Sequence, residues 1–395
     1  MLSVGIYTYS TQPRGSVVHA MSLAEALVRE GHDATLYALE KPGASLYRPL
    51  ACPVELIPAA AAPADLDALI RQRIEEFVRG VRRIARRHDV FHAQDCLAAN
   101  ALLAARTSDQ GPIVRTVHHV DHFESSYLTE CQRRSVCNAD AVFSVSRLTQ
   151  KNVLDQFGRC SRLVHNGADR ERFAVPRPDV EHRLRTRFGV ERGDTLVLSV
   201  GGVEPRKNTL LALKAVAAAY TAAPRLRWII AGDQSIWDHS AYVASFEGEL
   251  ARVPQRLRDR VRRAGTLSED EMTSLYCMSD VLFCPSREEG FGLCVLEAMA
   301  AGTAVVVPGR APFTEYLDAR CAAFIGSDAV EAMTAELVSV LSDVRRRARL
   351  AAAAMRRLQR FTWSQSARRH LHHYATIRST LTRSHGPGAA RSIHA

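Results

Sequence analysis

Lysine is almost missing from this chain. Lys41, Lys151, Lys207 and Lys214 are the only ones among 52 basic residues, so arginine carries the net charge of +10. Such a balance suits nucleic acid, an anionic membrane face, an acidic substrate, or a solvated arginine-rich surface of the kind GC-rich coding produces. Aromatic residues make up only 7% of the chain. Neither that content nor the spacing of the arginines supports a nucleic-acid surface, and the solvated one is the better reading. The nine cysteines are scattered. They form no C-x-x-C pair and no His/Cys cluster at zinc spacing, which argues against a disulfide framework or a structural zinc site. No apolar run reaches the length of a membrane span. Residues 1–7 run directly into a strand and lack the basic, apolar, small-residue succession of an export signal, so a reduced, cytoplasmic protein is expected. No G-x-G-x-x-G follows the first strand, which counts against a dinucleotide-dependent oxidoreductase.

The chain does contain a regular alternation of β-rich and helical stretches. At 395 residues, 47% hydrophobic and 24% charged, it suits two globular domains better than one core. Residues 2–7 read as a strand, 17–30 as a helix stopped by Gly31, and 34–39 as the next strand. This βαβ opening predicts a parallel sheet with crossover helices. A charged amphipathic helix follows over 65–87, then short strands at 89–92, 113–118 and 141–146 and an edge near 163–167. Residues 175–194 are rich in proline and charge, as a boundary would be. A second series begins at 196–200, with strands at 227–231, 261–265, 281–284 and 304–307. Its helices fall at 208–220, 268–278, 329–341 and 345–360, and Ser268 and Glu271 have capping-box spacing. Trp363 opens a final helix to about residue 377. The expected organisation is an N-terminal Rossmann-like domain over 1–175, a linker over 176–194 and a C-terminal Rossmann-like domain over 195–360. A helix over 361–383 and a disordered tail over 384–395 complete it.

The richest stretch is residues 285–308, P-S-R-E-E-G-F-G-L-C-V-L-E-A-M-A-A-G-T-A-V-V-V-P. It reads as strand, glycine turn, apolar helix, strand. Gly290 and Gly292 let the backbone turn sharply and leave N–H groups at the mouth of the following helix. Such a mouth attracts anions, phosphate above all, because donors and helix dipole act together. Glu289 sits in the turn and Glu297 on the helix, placed to hold hydroxyls on either side of a bound diphosphate.

Three further segments follow strands. G-G-V-E-P-R-K-N over 201–208 puts the planar fork of Arg206 and the point charge of Lys207 where open α/β sheets bind ligands. Asp233, after a strand ending in Gly232, can hold a polar group, although turn chemistry explains it equally well. P-R-G-S over 13–16 offers backbone donors at Gly15 and Ser16, but any βα turn can carry a glycine. T-V-H-H-V-D-H over 116–122 puts His118 at a strand end, where an imidazole can hydrogen-bond a sugar hydroxyl. Successive strand residues face opposite ways, so His118 and His119 should not converge on one metal ion. His92, Asp95 and Tyr127 are weaker candidates of the same kind. Asp65-Leu66-Asp67 has the D-x-D form but opens a helix, and reads as N-terminal helix charge.

The E-G-F-G-L-x-x-L-E-A-M-A-A-G pattern resembles the signature of retaining glycosyltransferase family 4. The 201–208 loop resembles that family's G-R-L-x-x-x-K-G segment, in the branch reading G-x-x-E-P-R-K-N. Asn166-Gly167-Ala168-Asp169 with Phe173 resembles its N-G-V-D-x-x-x-F. The likeness extends from about Gly5 to the Trp363 helix. Two departures stand out: Gly202 occupies the usual arginine position, and Ser16 replaces the second of two glycines. The resemblance implies the GT-B fold, two Rossmann-like parallel-sheet domains facing a cleft, with the C-terminal helix crossing back to the N-domain. It also implies that Glu289 contacts the transferred sugar, Glu297 the ribose hydroxyls, Arg206 and Lys207 the diphosphate, and His118 the sugar, and that the backbone at Phe291–Leu293 adds donors at the helix mouth.

The activity so implied is transfer of a sugar from a nucleotide diphosphate sugar, UDP- or GDP-linked, to an acceptor hydroxyl. Anomeric configuration would be retained, without a metal or other cofactor. Closure about the 175–194 segment would exclude water. The acceptor is a small molecule, a glycan or a lipid-linked molecule, with peripheral contact at the inner membrane face left open. The alternatives are a nucleotide-sugar epimerase or a phosphorylase on the same fold, and after them an arginine-rich nucleic-acid-binding protein.

Overall fold

The computed structural model describes residues 1–41, 45–84, 87–175, 177–233 and 239–384. The tail expected to be disordered lies outside these residues, apart from Ser384. The chain forms two compact units, one of Met1–Asn166 with the segment from Trp363 onward, the other of Gly167–Thr362.

In the first unit β1 (Ser3–Thr8), α1 (Gly15–Arg29) and β2 (Asp33–Glu40) make the opening βαβ. Then come β3 (Val54–Pro58), α2 (Leu66–Arg83), β4 (Val90–Ala93), α3 (Cys96–Ala105) and β5 (Ile113–Val117). The series ends with α4 (Ser126–Cys137), β6 (Ala141–Ser144), α5 (Arg147–Phe157) and β7 (Arg162–Leu163). The sheet order is β3-β2-β1-β4-β5-β6-β7, with parallel pairing throughout. Helices cover both faces of such a sheet, so its central strands are buried almost throughout. Tyr7 and Tyr37, neighbours on β1 and β2, stack at 4.4 Å. Asp65 caps α2 through the Ala68 N–H, and Asp67 accepts from Ser125, so the D-x-D pair serves the helix start as expected.

The second unit runs through α6 (Arg170–Ala174), α7 (Pro178–Phe188), β8 (Thr195–Val200), α8 (Thr209–Tyr220) and β9 (Leu226–Ala231). It continues with α9 (Ser240–Arg252), α10 (Gln255–Arg258), β10 (Val261–Gly265), α11 (Glu269–Met278) and β11 (Val281–Phe283). Last come α12 (Leu293–Ala301), β12 (Ala304–Pro308), a 3-10 turn (Phe313–Glu315), β13 (Ala323–Ile325), α13 (Val330–Ser342) and α14 (Val344–Leu358). Its sheet is β10-β9-β8-β11-β12-β13. A buried chain of hydrogen bonds, Trp228 Nε1 to Ser199 Oγ at 2.9 Å and Ser199 Oγ to the Phe283 carbonyl at 2.7 Å, ties β9, β8 and β11 together. The two ends of this unit meet: the Ala168 N–H donates to the Phe361 carbonyl at 2.9 Å. The final helix, α15 (Trp363–Ser384), belongs to the first unit, as the crossing-back expectation required.

One expectation needs correcting. The expected linker over 176–194 is not one: residues 177–194 carry α7 and lie within the second unit, and the chain passes between units at Asn166/Gly167 and Thr362/Trp363. Pro178 stands at the first helical position, where its fixed φ helps and its missing N–H costs nothing. Gly189 closes the helix at φ 64°. Strand β3 also went unforeseen, because Glu55 and the flanking prolines interrupt its apolar run.

In both sheets the strand order reverses once, between β1 and β4 and between β8 and β11. Ligands of open α/β sheets bind at the carboxyl ends of strands on either side of such a reversal. The capping box at α11 is present as read, with Ser268 and Glu271 satisfying each other's backbone N–H. Ser268→Ala is therefore expected to cost about 1 kcal/mol, seen as a lower denaturant midpoint at unchanged slope.

Candidate functional site

The loops after β8 and β11 flank the second reversal, and the two strongest motifs lie on them. Gly201 (φ 121°) and Gly202 (φ 74°) turn the chain out of β8 in conformations that L side chains avoid. A Cβ on Gly201 would strike the Lys207 side chain, which lies across it; one on Gly202 would sit 2.8 Å from the Asp233 carbonyl oxygen. The loop as folded thus has no room for a side chain at Gly202. Asn208 (φ 58°) starts α8 and donates from Nδ2 to the Pro285 carbonyl at 3.3 Å, and the Arg287 N–H donates to the Arg206 carbonyl at 2.9 Å. These bonds hold one loop against the other.

The charges then meet. Lys207 Nζ is ion-paired to Glu289 Oε1, with both side chains largely buried. Arg206 Nη1 lies 3.4 Å from Glu289 Oε2 and donates to the Glu288 carbonyl at 3.2 Å, and Ser286 Oγ donates to Glu289 Oε1 at 3.2 Å. Burial would raise the Glu289 pKa, but Lys207, Arg206 and Ser286 outweigh it and bring it down to about 2. Burial likewise works against the charge on Lys207, and Glu289 overrides it to hold that pKa above the ordinary value. The sequence pattern assigned Glu289 to the sugar and Arg206 with Lys207 to the diphosphate; the fold makes the three one group.

Gly292 (φ 94°) leads into α12, and no side chain caps that helix. Phe291 stacks on Tyr316 at 4.6 Å, and Tyr316 Oη donates to the Phe291 carbonyl at 2.9 Å, which fixes the turn. Glu297, on α12, accepts a 2.7 Å bond at Oε2 from Tyr276 Oη. Burial raises its pKa, opposed by Tyr276 and by the charge of Arg172. Asp233 is exposed at the end of β9. Tyr276 had drawn no attention in the sequence, because it reads as one more apolar position on an ordinary helix.

In the first unit His118 is half-buried and donates from Nε2 to Gln94 Oε1 at 3.1 Å. His119 is more exposed and pairs instead with Asp121 at 2.9 Å. Behind His118 lies His19, 4.8 Å away ring to ring, with its Nδ1 donating to Asn166 Oδ1 at 2.9 Å and its ring edge-on to Trp363 at 5.2 Å. His370 follows at 5.9 Å from His19. Burial drives these imidazoles neutral, His19 to a pKa of about 4, His370 to about 3, and His118 well down. Gly15 is exposed at the start of α1, and nothing in the fold would meet a Cβ there. Ser16 follows it, half-buried. The weaker candidates all have partners within the fold. His92 is fully buried between Tyr374 Oη and Thr116 Oγ1, Asp95 caps α3 through Ala98, and Tyr127 lies under the Arg71 guanidinium.

Two expectations follow. The buried histidines titrate near 6.5 when unfolded and near 3–4 when folded, so the unfolded chain binds more protons between those values. Their stabilising contribution is complete above about pH 6.5 and is lost as pH falls toward 4. The melting temperature should drop over that window, and less so in His19→Gln and His370→Gln. Gly202→Arg should cost about 1–3 kcal/mol, from the left-handed backbone and the Asp233 contact, and show as a lowered melting temperature.

Comparison with known proteins agrees with this geometry. Residues 13–172 match the model of Glycosyltransferase Family 4, and residues 181–357 that of Glycosyl transferases group 1. The chain is 24% identical over 381 residues to a D-inositol 3-phosphate glycosyltransferase of Corynebacterium glutamicum (strain R), covering 89% of each. It is 26% identical over 392 residues to a phosphatidyl-myo-inositol mannosyltransferase of Mycolicibacterium smegmatis, covering 96% of this chain and 94% of the relative. Its fold matches the crystal structure of Anabaena Alr3699/HepE in complex with UDP and glucose, with a TM-score of 0.73 at 18% identity, over 95% of this chain and all of that one. The chain is therefore a glycosyltransferase of the GT-B fold, its N-terminal part matching the family 4 model and its C-terminal part the group 1 model.

Proposed function

We propose that this protein transfers a sugar from a nucleotide diphosphate sugar to an acceptor hydroxyl with retention of anomeric configuration. The observation that carries the reading is the Lys207–Glu289–Arg206 group at the carboxyl ends of β8 and β11, beside the uncapped start of α12. In this reading Arg206 and Lys207 bind the diphosphate, aided by the N–H groups of residues 290–293, and Glu297 holds the ribose hydroxyls. Arg206 supplies the charge of the arginine missing at Gly202. UDP bound in the similar Anabaena structure supports a nucleotide donor.

Glu289, with a pKa of about 2, is ionised at neutral pH and has no proton to give a leaving group. It acts as an acceptor for a sugar hydroxyl. The charge that develops on the departing phosphate is met by Arg206, Lys207 and the helix dipole, without a metal. The phosphate oxygen itself takes the acceptor proton, so that donor and acceptor react on one face and configuration is kept. His118, neutral and hydrogen-bonded to Gln94, serves the sugar as a hydrogen-bonding group, and backbone donors at Gly15 and Ser16 serve the phosphate or the acceptor. Asp233 holds a polar group of the donor. The names of the inositol-directed relatives favour a polyol acceptor, free or lipid-linked. Among the described residues no helix is long and apolar enough to cross a membrane, so a lipid-linked acceptor would be met by peripheral contact.

Thermal shift with UDP-, GDP-, ADP- and TDP-sugars tests the donor site. One donor should stabilise the protein selectively, and Lys207→Ala and Glu297→Ala should each weaken its binding about tenfold or more, as loss of a charge-assisted hydrogen bond predicts. A folded wild type stabilised by none of them would overturn the donor reading. With the donor in hand, the anomeric proton coupling of the product decides retention, and an inverted product would overturn that part alone.

A further inference from the structure

The segment from Asn166 to Phe173, N-G-A-D-R-E-R-F, was given no part in the chemistry above, yet its aromatic residue leads to Glu297. Phe173 lies on α6 and packs edge-on against Tyr276 of α11, ring centres 5.8 Å apart and planes at 81°. The Phe173 carbonyl accepts from Cys277 Sγ at 3.0 Å. Tyr276 is fully buried. Its own carbonyl accepts from Thr303 Oγ1 at 2.7 Å, so its backbone is held at the end of α12. Arg172, next to Phe173, is ion-paired with Glu269 at the start of α11. Each of these contacts joins α6, α11 or α12, and the Tyr276 hydroxyl that they position ends on Glu297 Oε2, 2.7 Å away.

We propose that Tyr276 is the positioning residue of the ribose site, fixing the Glu297 carboxylate so that Oε1 is presented to the 2′- and 3′-hydroxyls of the donor nucleotide. This rests on the donor reading given above. A carboxylate on a helix can rotate about its last torsion, which is broad and has only two wells. A fixed donor on one oxygen removes that freedom and selects which oxygen faces outward. Among the described residues Glu297 Oε1 has no other partner. Burial keeps the Tyr276 phenol protonated and donating, and the bond it makes, with the Arg172 charge, opposes the burial that would otherwise push Glu297 toward its neutral form. An ionised carboxylate accepts at both oxygens, whereas a protonated one spends part of that capacity on its own hydrogen. Tyr276 thus acts on ribose recognition by setting both the direction and the charge of Glu297, without touching the nucleotide.

The test uses the full chain and calorimetric titration with UDP, GDP and ADP, each beside its 2′,3′-dideoxy counterpart. The quantity read is the affinity ratio of the hydroxylated to the dideoxy form. Wild type should prefer one hydroxylated form, and Glu297→Ala should abolish the preference. Tyr276→Phe should reduce the ratio by about tenfold while leaving dideoxy affinity at its wild-type value. That dideoxy affinity also reports that the variant's site is folded, and a general packing defect would lower both forms together. A ratio abolished by Glu297→Ala but kept by Tyr276→Phe would overturn the role of Tyr276 and leave the donor reading intact. A wild type with no preference for any hydroxylated form would overturn both.

Discussion

The second unit is organised around a buried ion pair. Lys207 and Glu289 stand 82 residues apart in sequence, on loops that leave neighbouring strands, and each is desolvated by the packing that brings them together. Neither charge would be tolerated alone in that place; removal of one partner from such a pair typically costs about 3–5 kcal/mol. Much of the local architecture serves the pair. Two glycines turn the chain so that Lys207 can lie across Gly201, Asn208 takes a left-handed conformation to start α8 behind it, and Ser286 occupies a remaining lone pair of Glu289. A site so built is preorganised electrostatically, since its charges are oriented by the fold before any substrate arrives.

A good deal of this was legible in the sequence, for identifiable reasons. Signals confined to a few neighbouring residues read correctly: the Ser268–Glu271 capping box, the turn-to-helix passage at Gly292, and the parallel βα alternation of both halves. The misreadings arise where one residue has two meanings. Pro178 can break a chain or begin a helix, and only Gly189, eleven residues on, would have decided for the helix α7. Contacts between distant residues were not legible at all. The Lys207–Glu289 pairing, the Tyr276 bond to Glu297 and the packing of His19 on Asn166 and Trp363 all depend on the sheet order. Gly202 lies between these cases. Its departure from the family pattern was visible in the sequence, but its cause, the Asp233 carbonyl 2.8 Å from where a side chain would begin, was not.

Both units keep full charges inside by pairing them, Lys207 with Glu289 in the second and Arg73 with Glu76 in the first. The first also buries imidazoles and strips them of charge, so that His19, His92 and His370 act as neutral polar groups in its interior. A neutral imidazole offers one donor and one acceptor, suited to hydroxyl-bearing partners, whereas the cationic pair on the other unit is suited to phosphate.

The hydrogen bond between Ala168 and Phe361 has a consequence for how such a molecule can be assembled and altered. Because the second unit begins and ends at the same place, it is topologically an insertion, spliced into a first unit whose chain resumes at Trp363. A segment with joined ends can be cut out or exchanged as a single cassette, since its host need only bridge a short gap. The half carrying the charged clamp is therefore separable at the level of the gene, and new pairings of the two halves require two junctions and no rewiring of either sheet.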